Sequence, residues 1–153
     1  MPVKNNNKVL IIGIGNEFRS DDGAGIVCAR KLKEKVNSNI TVIENDGDGA
    51  MLMELWKGFD EVILIDSVSV GSKPGTIHNI DAGKAEFPKE NSIHSSHLFS
   101  VAEAIEISKI LKKLPEKLVV YGIEGKSYES GNTISEEVNK SIEKLVIEIQ
   151  KEI

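Results

Sequence analysis

The sequence predicts an α/β protein of three layers, with helices on both faces of a mainly parallel sheet. Three observations lead there. The apolar runs at Lys8–Ile12, Glu61–Ile65 and Leu118–Ile123 are continuous, as expected of strands buried on both faces rather than one. Stretches of helical periodicity stand between them. The first run then breaks into a glycine-containing turn, VLIIGIGNEFRSDDGAG over Val9–Gly25, which leads directly into a helix.

Taken in order, Met1–Asn7 is polar and Asn-rich and reads as a frayed tail to a single domain spanning 1–153. Lys8–Ile12 is the first strand. Asp21 or Asp22 is placed to cap a helix from about Gly23 to Val36, with Ile26, Ala29, Leu32 and Val36 on one stripe. Ile40–Ile43 is a short strand that ends in the acidic turn Glu44–Gly49, and Ala50–Lys57 is a short helix burying Leu52, Leu55 and Trp56. The VILI run of Glu61–Ile65 is a strand delivering Asp66, and Gly71–Gly75 is a turn. Thr76–Asp81 alternates weakly and reads as an edge strand, and Ala82–Ser96 as a long polar loop of the kind that carries function. Ser95 or Ser96 is placed to cap a helix through about Lys113, with Val101, Ala104, Ile105, Ser108 and Leu111 on its inner face and Pro115 beyond its end. Leu118–Ile123 is a strand and Tyr128–Asn132 a loop. Thr133 and Glu136 fit a capping box for a last helix whose apolar stripe is Val138, Ile142, Leu145, Ile149 and Ile153.

Composition narrows the function. Hydrophobic residues make up 40% of the chain but aromatics only 5%, so the core is aliphatic. A net charge of −5 and scattered lysines leave no basic patch for phosphates and argue against nucleic-acid binding. The single cysteine, Cys28, rules out an internal disulfide and a CxxC zinc site, and its apolar neighbours make it a small buried hydrophobe. No apolar signal region opens the chain, and no run approaches the roughly 18 apolar residues of a membrane helix. The expectation is a cytoplasmic protein with no membrane contact, monomeric and meeting its substrate transiently.

In parallel α/β sheets, ligands sit beyond the carboxyl ends of the strands. That rule brings the turn Gly13–Asp22, the turn Glu44–Gly49, Asp66, and the loop before the next long helix, with His94 and His97, to one rim. A dinucleotide site fits poorly there. Phe18 stands where the third glycine of GxGxxG belongs, and Glu17, Asp21 and Asp22 would repel a pyrophosphate. Two carboxylates and an imidazole, Glu17, Asp66 and His97, suit a divalent transition metal with open positions for water or substrate. His94 competes with His97 for that role, and His78 reads as structural or exposed. There is no nucleophile elbow and no HExxH, so an activated water is the natural attacker in any hydrolysis.

These residues resemble the hydrogenase maturation endopeptidases, which process the large subunit of nickel-iron hydrogenases. The resemblance covers nearly the whole chain. It rests on GIGNEFRSDDGAG (Gly13–Gly25), DGDG (Asp46–Gly49), LIDSV (Leu64–Val68), GSKPG (Gly71–Gly75), SSH (Ser95–His97), YGIE (Tyr121–Glu124) and ISEEV (Ile134–Val138). It implies an α/β/α sandwich around a twisted, mostly parallel sheet of about five strands, one of them antiparallel. It implies that Glu17, Asp66 and His97 are the metal-coordinating and catalytic positions. Asp46, Gly47 and Asp48 fall in a region tied to substrate recognition. The implied substrate is the nickel-loaded precursor of a hydrogenase large subunit, which loses a short C-terminal peptide. The implied metal is nickel brought by that substrate, with another divalent ion as the variant, and the implied enzyme is a metal-dependent or aspartyl-type peptidase. A non-catalytic nickel chaperone would use the same three ligands, whereas a module that only binds the tail would need no metal.

Overall fold

A computed structural model describes residues 7–84 and 96–153. The strands are β1 (Val9–Ile14), β2 (Ile40–Asn45), β3 (Glu61–Val68), β4 (Ile77–Asp81) and β5 (Lys117–Glu124). The helices are α1 (Ala24–Lys35), α2 (Gly49–Leu55), α3 (Ser96–Ile110) and α4 (Glu136–Glu152). The strands form one sheet in the order β2-β1-β3-β5-β4. All neighbours are parallel except β4, which runs antiparallel along the edge of β5. The mostly parallel sheet with one antiparallel strand is therefore as expected.

Alternation along each strand sorts the apolar residues into two cores. Ile11, Ile63, Ile65, Val119 and Tyr121 pack with Ala24, Cys28 and Leu32 of α1 and with Val138, Ile142, Leu145 and Ile149 of α4. Leu10, Ile12, Ile14, Val62, Leu64 and Val120 pack with Leu52 and Trp56 at α2 and with Val101, Ala104 and Ile105 of α3. These are the two outer layers of the sandwich.

Two glycines let α1 lie directly on the sheet. A Cβ at Gly13 would meet Gly25 backbone and Ala29, and a Cβ at Gly25 would meet the carbonyl oxygens of Ile65 and Ile14. The glycines of the first turn thus serve helix-on-strand contact rather than approach to a phosphate.

Several local expectations give way to tertiary contacts. Neither Asp21 nor Asp22 caps α1: its N-cap is Gly23, with no side-chain cap bond, and both acids lie in a 3-10 turn, Ser20–Gly23. The capping box Thr133–Glu136 does not form, because α4 begins at Glu136 with Ser135 as N-cap and no side-chain cap bond. The Ser135 hydroxyl instead donates to Asp21 at 2.8 Å. β3 is longer than the VILI run, so Asp66 lies inside the strand, paired in register with Gly122. The third helix ends at Ile110, Leu111 is exposed at 55%, and the chain leaves the helical path at Lys112 with a left-handed φ of 55°. The suggested cap at Ser95, and His94 with it, fall outside the described residues.

Candidate functional site at the carboxyl rim of the sheet

From β1 the chain passes through α1 to β2 on one side, then returns through α2 to β3 on the other side of β1. The carboxyl ends of β1 and β3 therefore flank the switch point, where α/β sheets bind ligands. Asp66 lies toward that end of β3. It is fully buried and in phase with Val62 and Leu64, so it belongs to the face covered by α2 and α3. Its Oδ1 accepts from the Ser67 amide at 2.7 Å. An acid in the midst of an aliphatic strand is costly to bury, and this one lies toward the carboxyl rim of the sheet.

His97 lies in the first turn of α3, and its side chain falls outside the described residues. The 15-residue helix runs roughly 22 Å. Its far end joins β5 at Lys117, which is in register with Glu61 at the amino end of β3. A helix of that length packed back along the sheet brings its first turn toward the carboxyl rim, on the same face as Asp66.

Glu17 sits in the turn after β1 and faces a cleft of about 420 Å³ lined by Asn16, Phe18, Glu44 and Asp46 among others. Arg30 of α1 grips it with two hydrogen bonds, Nη1 to Oε2 at 2.7 Å and Nη2 to Oε1 at 3.2 Å. The bonded guanidinium holds the Glu17 carboxyl below its ordinary range. Phe18 beside it is exposed, a large apolar side chain on the lip of an acidic cleft.

The turn itself is built by residues distant in sequence. Asp21, fully buried, accepts from the amides of Lys126, Ser127 and Ser135 and from the Ser135 hydroxyl, at 2.8–3.1 Å. The Ser20 amide and hydroxyl donate to the carbonyls of Gly131 and Glu129, both at 2.7 Å. These bonds seam the Glu17 turn to the segment between β5 and α4. Asp22 is held in the same turn, its Oδ2 accepting from the Asn16 amide at 3.2 Å.

The acidic turn after β2 braces itself. The Gly47 amide donates to Asn45 at 2.7 Å, the Asp48 amide to Asp46 at 3.1 Å, and Asp48 Oδ1 accepts from Ala50 and Met51 as the N-cap of α2. Asp48 thus has a structural duty, while Asp46 lines the cleft with Glu17. On the other side of the rim, buried Glu124 accepts from the amides of Val70, Gly71 and Ser72 and fixes the loop after β3. The Tyr128 hydroxyl donates to the Val68 carbonyl at 2.6 Å and meets the Ser67 hydroxyl at 2.9 Å, and burial pushes it up to about 12. His78 is half-buried on the edge strand, 3.9 Å from Glu124, which fits the expected structural role.

Among the described residues, no three His, Cys, Asp or Glu gather as a metal cage. Glu17 and Asp66 are the two members of the expected trio whose side chains are described, one in the cleft and the other inside the sheet. Arg30, Asp21 and Glu124 were not singled out for these roles from the sequence. The signal for Arg30 was faint: an arginine on a helix otherwise carrying lysines.

Fold and rim together define an α/β sandwich with an acid-lined site at the switch point. The family model for HycI, hydrogenase maturation protease, matches residues 26–152. A putative hydrogenase maturation protease of Methanocaldococcus jannaschii is 33% identical over 155 residues, 95% of this chain and 96% of that protein. The chain belongs to the hydrogenase maturation protease family, a family of peptidases. The solved [NiFe] hydrogenase maturation protease HybD from Thermococcus kodakarensis superposes with a TM-score of 0.77 at 29% identity, covering 94% of this chain and 97% of that one. The E. coli hydrogenase maturating endopeptidase HybD shares the fold, with a TM-score of 0.78 at 18% identity over 93% of this chain and 89% of that one. The family match begins after Gly25, so the turn bearing Glu17 lies outside it. Among the described residues, no helix is long and apolar enough to cross a membrane.

Proposed function

We propose that this chain is an endopeptidase that removes a short C-terminal peptide from the nickel-loaded precursor of a nickel-iron hydrogenase large subunit. Glu17, Asp66 and His97 recognise the substrate's nickel. The observation that carries the reading is the fully buried Asp66, on the sheet face covered by the helix that bears His97, in a chain of this family. Two carboxylates and an imidazole suit a borderline ion such as nickel and leave positions for ligands the substrate brings. Only loaded precursor then completes the site, so cleavage follows metal insertion. The three side chains hold the scissile segment in place, and water is the attacking group. Asp46 and exposed Phe18 line the cleft that Glu17 faces, which supports a part for the turn Asp46–Asp48 in meeting the substrate beside the metal. The setting is cytoplasmic, and the chain acts as a monomer.

The test is to incubate the purified chain with nickel-loaded and nickel-free precursor and weigh the large subunit by mass spectrometry. The expected result is loss of a short C-terminal peptide from the loaded form alone. An unchanged mass in a stable complex would instead identify a tail-binding module, and nickel transfer without cleavage a chaperone.

A further inference from the structure

Arg30 is the cation that already occupies Glu17. Its guanidinium reaches two carboxylates from different strand ends. Nη1 and Nη2 take the two oxygens of Glu17, and Nε and Nη2 take the two oxygens of Glu44, at 3.1 and 2.9 Å. Such planar two-by-two pairing is specific to arginine and is stronger than a single contact. All three side chains are partly open to water, at 47%, 39% and 44% exposure, so exchange of partners costs little. Glu44 needs neither Glu17 nor a movement of α1 to keep hold of Arg30.

We propose that Arg30 is a positioning residue that serves as an internal counter-cation for Glu17: it denies the carboxylate to free nickel and withdraws onto Glu44 when substrate-held nickel arrives. This rests on the reading of Glu17 as a nickel-recognising residue. A free divalent ion must displace or lie against a positive charge and finds few protein ligands in return. An ion held by the precursor brings its own ligands and the binding energy of the docked chain, which offset that repulsion. The pairing would thus make the protein selective for loaded substrate over free metal, a form of discrimination by repulsion. It also presents the Glu17 carboxylate in one orientation before substrate binds.

The experiment is calorimetric titration of the full chain, without an affinity tag, with nickel chloride. Arg30→Met keeps the stem of the side chain and removes the charge. It should tighten free nickel binding about tenfold, the scale of one nearby charge acting on a divalent ion through water. The gain should vanish in Arg30→Met combined with Glu17→Gln. Unchanged or weaker binding by Arg30→Met overturns the proposal, and so does a gain that survives Glu17→Gln. Circular dichroism checks that each variant is folded. Processing of loaded precursor by Glu17→Gln separates the two levels. Normal processing removes Glu17 from nickel recognition altogether. Lost processing together with no gain in Arg30→Met removes only the role of Arg30.

Discussion

Glu17 and Asp21 stand in the same short turn, and their surroundings are opposite. Asp21 is fully buried and satisfies four donors from the segment Lys126–Ser135. Glu17 faces a cleft, and it pairs with an arginine that is also open to water. Nothing in residue type separates the two. Asp21 belongs to the fold, because its removal strands buried donors. In the proposed function Glu17 belongs to the site, and its exposed bonds to Arg30 are of a kind that can be exchanged for a ligand. Asp66 combines the two situations: it is as buried as Asp21, yet it lies toward the carboxyl rim, where sheets of this class bind ligands.

The comparison breaks most decisively at activity. Asp66→Ala and Glu17→Gln should each abolish processing of loaded precursor while circular dichroism stays native. Processing by either variant at the wild-type rate would return that residue to a structural role. Next in size, Gly25→Ala should fold poorly or lose several degrees of Tm, since its methyl would enter the carbonyls of Ile65 and Ile14. Asp21→Ala should cost about 3 kcal/mol in urea unfolding, the scale of several buried donors left without an acceptor. Glu17→Gln should leave the same urea midpoint unmoved, and a large shift there would erase the contrast between the two acids. Asp48→Ala should cost about 1 kcal/mol through loss of the α2 cap. A rise in KM at unchanged kcat in that variant would add a role in recognition.

The smallest effect is a pH dependence. Burial pushes the Cys28 thiol from 9.0 up to about 12. The thiol is therefore protonated in the folded chain where the unfolded chain has already lost the proton. Its contribution to stability is fully present below pH 9.0 and is lost as the pH rises toward about 12. Urea midpoints measured across that window should fall, and less steeply for Cys28→Ala. At neutral pH, iodoacetamide should label Cys28 only under unfolding conditions.

How much of this was legible in the sequence follows one rule. Features that depend on neighbours in the chain were readable. The continuous runs at Val9–Ile12, Val62–Ile65 and Leu118–Ile123 are strands, and the apolar stripe Val138, Ile142, Leu145, Ile149 faces a core. Asp66 after VILI marked the rim. Caps were misread for the same reason. A local rule assigns Asp21 to the nearest helix and Thr133 to the next, whereas the donors that claimed Asp21 lie 105–114 residues away. Leu111 fits the inner stripe of α3 by spacing but is exposed, one residue past the helix end and just before the backbone turns at Lys112.

By itself, the sequence determined the layering of the protein, the strands that carry its acids, and a family resemblance that the comparisons uphold, because hydrophobic periodicity and short motifs are properties of adjacent residues. Only the tertiary structure decided which acid of the first turn is mortar and which faces an open cleft. That depends on where a guanidinium from α1 and the amides of a distant loop come to rest, and packing alone brings those groups within hydrogen-bond reach.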